Sequence, residues 1–154
     1  MSRPRLGVGD SGQKASEAEF VTIEGLTTIG SSFGHAETLT RLQAAIRANG
    51  MQVLSRLDPA AGPLEAGVSL DPTTLVMFGN RERQAALVKA LRLIALDLPF
   101  RALIWQDAGG KNWVSYNDFR WLAKRYGAAR EDACLFTDMA VMIDGIARKA
   151  SSPP

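Results

Sequence analysis

The chain of 154 residues is long enough for one domain with a proper core and too short for two domains to be expected. Its 46% hydrophobic and 22% charged residues are ordinary for a globular protein, and 18 basic residues spread among 16 acids give a net charge of only +2. That dispersal argues against a nucleic-acid binder, which concentrates its Lys and Arg in one stripe. A single cysteine, Cys134, excludes an intrachain disulfide and a cysteine-based zinc site, and a single histidine, His35, leaves little from which to build a metal centre or a Ser-His-Asp triad. No metal and no cofactor are expected. The N-terminus has no apolar run of signal-peptide length and no stretch suits a bilayer, so the expected location is the cytoplasm, without a membrane partner.

Residues 1–18, rich in Gly, Ser and charge, read as an arm. In FVTIE, residues 20–24, Val21 and Ile23 alternate with Thr22 and Glu24, the period-two pattern of a half-buried strand. The following GSSFGHAE is turn-like, and His35 there reads as a solvated or capping side chain. Leu39, Leu42 and Ile46 then fall on one face of a helix that Asn49-Gly50 stops. MQVLSRLD is a second strand, PAAGPLEAGVSLDP a loop, and TLVMF a third strand whose unbroken apolar run predicts burial on both faces and a central place in the sheet. A second helix is expected from Arg81 to Leu96, with Leu87, Val88, Leu91 and Ile94 inward, closed by Asp97-Leu98-Pro99.

RALIWQD and KNWVSY form a hairpin about the AGG turn. A third helix starts at Asn117 or Asp118, either of which can cap it, and buries Phe119, Leu122 and Tyr126 before Gly127. A last helix from Glu131 to Arg148 spaces Leu135, Met139, Met142 and Ile146 along one stripe, with Cys134 packed beside it. The stripe must bury itself, on its own domain first and on a partner second. The order βαββαββα plus a terminal helix predicts an α+β fold, a mainly antiparallel sheet of about five strands with helices packed on it.

The segments TLTRLQAAIRANGMQVLSRLD, LDPTTLVMFGN, LDLPFRALIWQDAGGKNWVSYND and LAKRYG stand in an order and spacing that resemble the DUF302 family. The resemblance implies a compact α+β domain over residues 19–127, often self-associating, and so a homo-oligomer, with a C-terminal helical extension over 128–150 and a tail over 151–154. It assigns no activity. The sequence departs from the family pattern at three points: Pro59 replaces a histidine after Leu57-Asp58, Arg81-Glu82-Arg83-Gln84-Ala85 replaces a proline and a Gly-Thr pair, and Tyr126 replaces a histidine before Gly127.

The junction Phe78-Gly79-Asn80-Arg81 carries the main candidate site. Gly79 permits a sharp turn, and Asn80 is a favoured N-cap. Arg81 and Arg83 lie in the first turn, where the helix dipole is already positive and an anion offsets the repulsion. The junction reads first as a capped turn and second as an anion site. Asp97 reads as a local cap or a cleft carboxylate, Asp58 as the turn before Pro59, and Tyr116 as the aromatic most in need of a polar partner. Trp105 and Trp113 read as core beneath the helices. The candidate ligand-binding set is therefore Asn80, Arg81, Arg83, Asp97, Tyr116 and Asp58. Three functions are weighed: a self-associating binding module for a small, anionic ligand, a structural or interaction protein using the terminal helix, and an enzyme using Asp58 or Asp97 as acid-base with Tyr116.

Overall fold

A computed structural model describes residues 23–59 and 70–154; the expected arm and most of the PAAGPLEAGVSLDP loop lie outside these residues. The elements are β1 (Leu26–Ser31), α1 (His35–Ala48), β2 (Gln52–Leu57), β3 (Thr73–Gly79), α2 (Arg81–Ala90), a 3-10 segment (Arg92–Asp97), β4 (Phe100–Gln106), β5 (Asn112–Asn117), α3 (Phe119–Arg125), a 3-10 turn (Arg130–Asp132) and α4 (Ala133–Ser151). The five strands form one sheet in the order β1-β5-β4-β3-β2, with every neighbouring pair antiparallel. The α+β fold expected from the element order is the fold observed.

One sheet face meets the helices. Val76, Phe78, Phe100, Ile104, Val114 and Tyr116 alternate onto it and join Leu42 and Ile46 of α1, Leu122 of α3, and Phe136, Ile143 and Ile146 of α4 in one core. Phe100 sits between Phe78 and Phe119, with ring centroids 5.7 and 5.0 Å away. The apolar stripe of α4 is used inside the domain: Met139 and Ile146 are buried, Leu135 and Met142 pack against the core, and the helix lies on α1 and α3. The interaction reading that needed this stripe free therefore loses its surface. Cys134, expected in the packing, is exposed.

Local departures from the sequence pattern have physical causes. Of FVTIE, residues 20–22 lie outside the described residues and Glu24-Gly25 forms a turn, so the strand begins at Leu26 instead. Gly25 adopts φ +79°, and a Cβ there would lie 2.3 Å from Cδ2 of Trp121. The turn therefore admits glycine alone. The helical pattern of residues 81–96 breaks at Leu91, whose φ of −151° and ψ of 99° are extended, and the chain resumes as 3-10 helix. With three residues per turn, Ile94 and Asp97 share one inward ridge, and Leu93 and Leu96 share another that is exposed. β3 is an interior strand but not the central one, which is β4. Its apolar run is buried on one face at Thr74, Val76 and Phe78, and only half-buried on the other at Leu75 and Met77.

Candidate functional site

The β3–α2 junction opens a cavity of about 710 Å³ lined by Gly50, Gln52, Leu54, Gly79, Asn80, Arg81, Gln84, Ala85 and Val88. Asn80 braces it. Its Oδ1 accepts from Arg83 N at 2.7 Å, capping α2, and its Nδ2 donates to Gly50 O at 3.2 Å, tying the cap to the turn that ends α1. Gly79 is buried against Gln84, whose side chain would lie 3.3 Å from a Cβ at that position. Helix geometry leaves the amides of Arg81 and Glu82, in the first turn of α2, without intrahelical acceptors.

The two arginines divide. Arg83 turns away, donating from Nη1 to Met142 Sδ at 2.9 Å and from Nη2 to Asn49 O at 3.3 Å. Its charge thus sits on the carbonyl end of α1, where a cation is favoured. Arg81 is exposed on the cavity wall and has no ion-pair partner among the described residues. Gln52 and Gln84 line the same wall without having been singled out in the sequence. Gln84 lies four residues after Asn80, so helical spacing places it on the same side. Gln52 enters only through the pairing Gln52↔Gly79.

The remaining candidates lie elsewhere. Asp97 accepts from the Tyr126 hydroxyl at 2.5 Å, closing the 3-10 segment onto the end of α3. That bond, first of all, raises the Tyr126 phenol above its ordinary range. Tyr116 is buried under α4 and donates to Asp144 Oδ1 at 2.5 Å. Burial, and then this bond to a carboxylate, push its phenol far above its ordinary range. Burial works to raise Asp144, but the bonds from Tyr116 and Arg148 outweigh it and hold the carboxyl below the usual range. Asp58 follows Leu57, which pairs with Leu75, while Gly79 pairs with Gln52, so Asp58 is at the opposite end of the β2–β3 pair from Asn80. Of the six candidates, Asn80 and Arg81 share the cavity. Asp58, Asp97 and Tyr116 do not converge, so the acid-base arrangement pairing either carboxylate with Tyr116 is not formed.

Asp58 instead belongs to a cluster that spacing did not reveal. Thr74 Oγ1, in the buried row of β3, lies 2.7 Å from Asp58 Oδ1 and 2.8 Å from His35 Nε2, and Arg56 Nε donates to Asp58 Oδ2 at 2.9 Å. The bond from Thr74, followed by that from Arg56, holds the Asp58 carboxyl below its usual range, so it is ionised and accepts the one hydroxyl proton. Thr74 then accepts from His35, which assigns the proton to Nε2 and leaves Nδ1 as a bare lone pair, buried and without a partner among the described residues. Burial lowers the His35 pKa, against the pull of Asp58. The histidine expected to be solvated is thus half-buried and fixed, because α1 begins directly above the start of β3.

The family model for the domain of unknown function DUF302 matches residues 27–149, a span that includes α4. The chain belongs to the DUF302 family. A solved DUF302 protein from Bacillus stearothermophilus shares the fold, with a TM-score of 0.74 at 17% identity over 83% of this chain and 99% of that one. The sequence is also 46% identical over 102 residues to the fluoride-specific ion channel FluC 1 of Brucella suis biovar 1 (strain 1330), over 66% of this chain and 40% of that protein. The FluC 1 of Brucella abortus biovar 1 (strain 9-941) matches at the same identity over 38% of its length. The chain thus spans about two fifths of these relatives. Among the described residues, no helix is long and apolar enough to cross a membrane.

Proposed function

We propose that this DUF302 protein is a self-associating cytoplasmic module that binds a small anion at the N-terminus of α2 and works beside a membrane ion channel. The observation that carries the reading is the cavity at Asn80 and Arg81: an exposed arginine and two glutamines line one open volume at the start of α2. Such a helix start is suited to an anion, since its N–H groups are unpaired and its dipole end is positive. In the free protein Arg81 opposes that dipole, at a cost of about 0.3–1 kcal/mol that a bound anion removes.

The Brucella relatives support the second half of the reading. The stretch shared with this chain makes up 40% of the Brucella suis protein, which is named as a fluoride-specific ion channel. Fluoride is therefore the first ligand to try, with chloride and inorganic phosphate for comparison.

Equilibrium dialysis of the full chain with sodium fluoride tests the site. Saturable uptake is expected, weakened about tenfold or more by Arg81→Glu. The same substitution should leave folding stability unchanged or raised by up to about 1 kcal/mol, because an acid suits the first helical turn. Uptake that Arg81→Glu leaves unaltered, for fluoride, chloride and phosphate alike, removes the site.

A further inference from the structure

The cavity beside α2 is larger than an inorganic anion needs, and its two walls share one polarity. At about 710 Å³ it has the size of a site for an organic ligand. On the helix wall, Arg81, Ala85 and Val88 follow one another at helical spacing, so they form a single stripe with the cation at its start and Val88 about two turns on. On the strand wall, Gln52 pairs with Gly79 at the junction, and Leu54 stands further along β2. Polar side chains, Arg81, Gln52 and Gln84, therefore gather near the junction, and apolar ones lie away from it.

A backbone irregularity puts Leu54 there. Val53 pairs with Phe78 and Ser55 with Met77, so Leu54 is the extra residue of a β-bulge on an edge strand. Bulges re-aim side chains, and this one presents a leucine that is 49% exposed on the wall of the cavity. Arg81 is the one charged residue among those lining the cavity, and it has no ion-pair partner among the described residues. A lining with one cation and no acid suits a ligand with a single negative charge.

We infer that this cavity binds a monocarboxylate with a short apolar chain, its carboxylate on Arg81 beside Gln52 and Gln84, and its chain along Leu54, Ala85 and Val88. A guanidinium matches a carboxylate through two parallel N–H bonds, and glutamine amides donate to the oxygen lone pairs that remain. The chain then covers apolar side chains that otherwise face water. Each methylene it removes from water tightens binding about fourfold. A second negative charge on the ligand finds no second cation in the lining. The inference rests on the anion reading of Arg81 proposed above and adds the apolar half of the ligand to it.

Isothermal titration calorimetry on the full chain tests it with sodium hexanoate, with sodium acetate, which keeps the head alone, and with hexanol, which keeps the chain alone. Hexanoate is expected to bind at least about tenfold more tightly than either. Leu54→Asn should weaken hexanoate about fivefold and leave acetate unchanged. Arg81→Gln should weaken both carboxylates about tenfold and leave hexanol unchanged. Both side chains are exposed, and circular dichroism checks that the variants fold. Acetate that binds as tightly as hexanoate, and is weakened by Arg81→Gln, overturns the inference and leaves the anion site standing. Hexanoate binding that Leu54→Asn does not weaken overturns the placement of the chain. Hexanoate binding that Arg81→Gln does not weaken removes the anion site and the inference with it. Absence of saturable binding by either carboxylate overturns the inference alone if fluoride still binds, and both readings if it does not.

Discussion

Replacing Asn80 by alanine removes two bonds at once, and the structure separates their contributions. The cap from Asn80 Oδ1 to Arg83 N, at 2.7 Å, is of the kind whose loss costs about 1 kcal/mol. The longer bond from Nδ2 to Gly50 O, at 3.2 Å and exposed, contributes about 0.5 kcal/mol net. Asn80→Ala should therefore destabilise by about 1.5 kcal/mol, lowering Tm by roughly 3–6 °C for a chain of this size. Asn80→Asp keeps the acceptor, adds a charge favourable at a helix start, and loses only the tie to Gly50, so it should stay within about 0.5 kcal/mol of the wild type. Urea unfolding of the three proteins, with m-values compared, measures both differences. Equal losses for Ala and Asp would refute the division, since the shared loss would then lie in the Gly50 bond. No loss for Ala would remove the junction as a structural brace.

Other predictions rest on single contacts. Burial lowers His35 and Asp58 pulls the other way, so its imidazole should titrate below 6.5 by NMR, and Asp58→Asn should lower it further. The unfolded chain then takes up the proton first, so this histidine's contribution to stability is lost as pH falls from about 6.5 through the folded value; a midpoint above 6.5 contradicts the assignment. Tyr116 is raised by burial and by Asp144, so it favours folding below its ordinary pKa near 10.0 and that contribution is lost at more alkaline pH. Spectrophotometric titration should find both tyrosines ionising above 10.0 in the folded protein and returning to about 10 after unfolding, and Tyr116→Phe should cost about 1–3 kcal/mol. Gly25→Ala meets the Trp121 ring at 2.3 Å and should destabilise by about 3 kcal/mol or more, whereas Gly50→Ala, with open space and φ +74°, should cost only about 1–2 kcal/mol. Equal thermal shifts for the two would exclude the Trp121 contact.

Periodicity carried most of the fold because long-range packing agreed with it. Leu39, Leu42 and Ile46 lie on the buried face of α1, and the AGG turn joins β4 to β5. It failed where one glycine or one backbone break decided. Nothing in FVTIE tells that Gly25 must turn under Trp121, and the real first strand, LTTIGS, is a half-buried edge with a weak alternation. Leu91 fits the helical stripe, yet its extended backbone ends α2 there. The aromatic hairpin was legible as packed but not as packed on the face away from the helices, since alternation alone does not say which face is covered. At the candidate site Asn80 was readable as a cap, because capping is local. The separation of Arg81 from Arg83 was not, since it depends on Asn49 and Met142 from two other helices. The triad of His35, Thr74 and Asp58 joins three elements across 39 residues, beyond the reach of any spacing rule.

The measurement closest to the central claim is an amide-resolved NMR titration of the full chain with sodium fluoride at constant ionic strength, repeated with sodium chloride and phosphate. Saturable shifts confined to Gly50, Gln52, Arg81, Glu82 and Gln84, and absent in Arg81→Glu, are the expected result. Shifts that stay linear in salt, or that cluster at other basic residues such as Arg101 and leave α2 unmoved, would contradict an anion site at the start of α2.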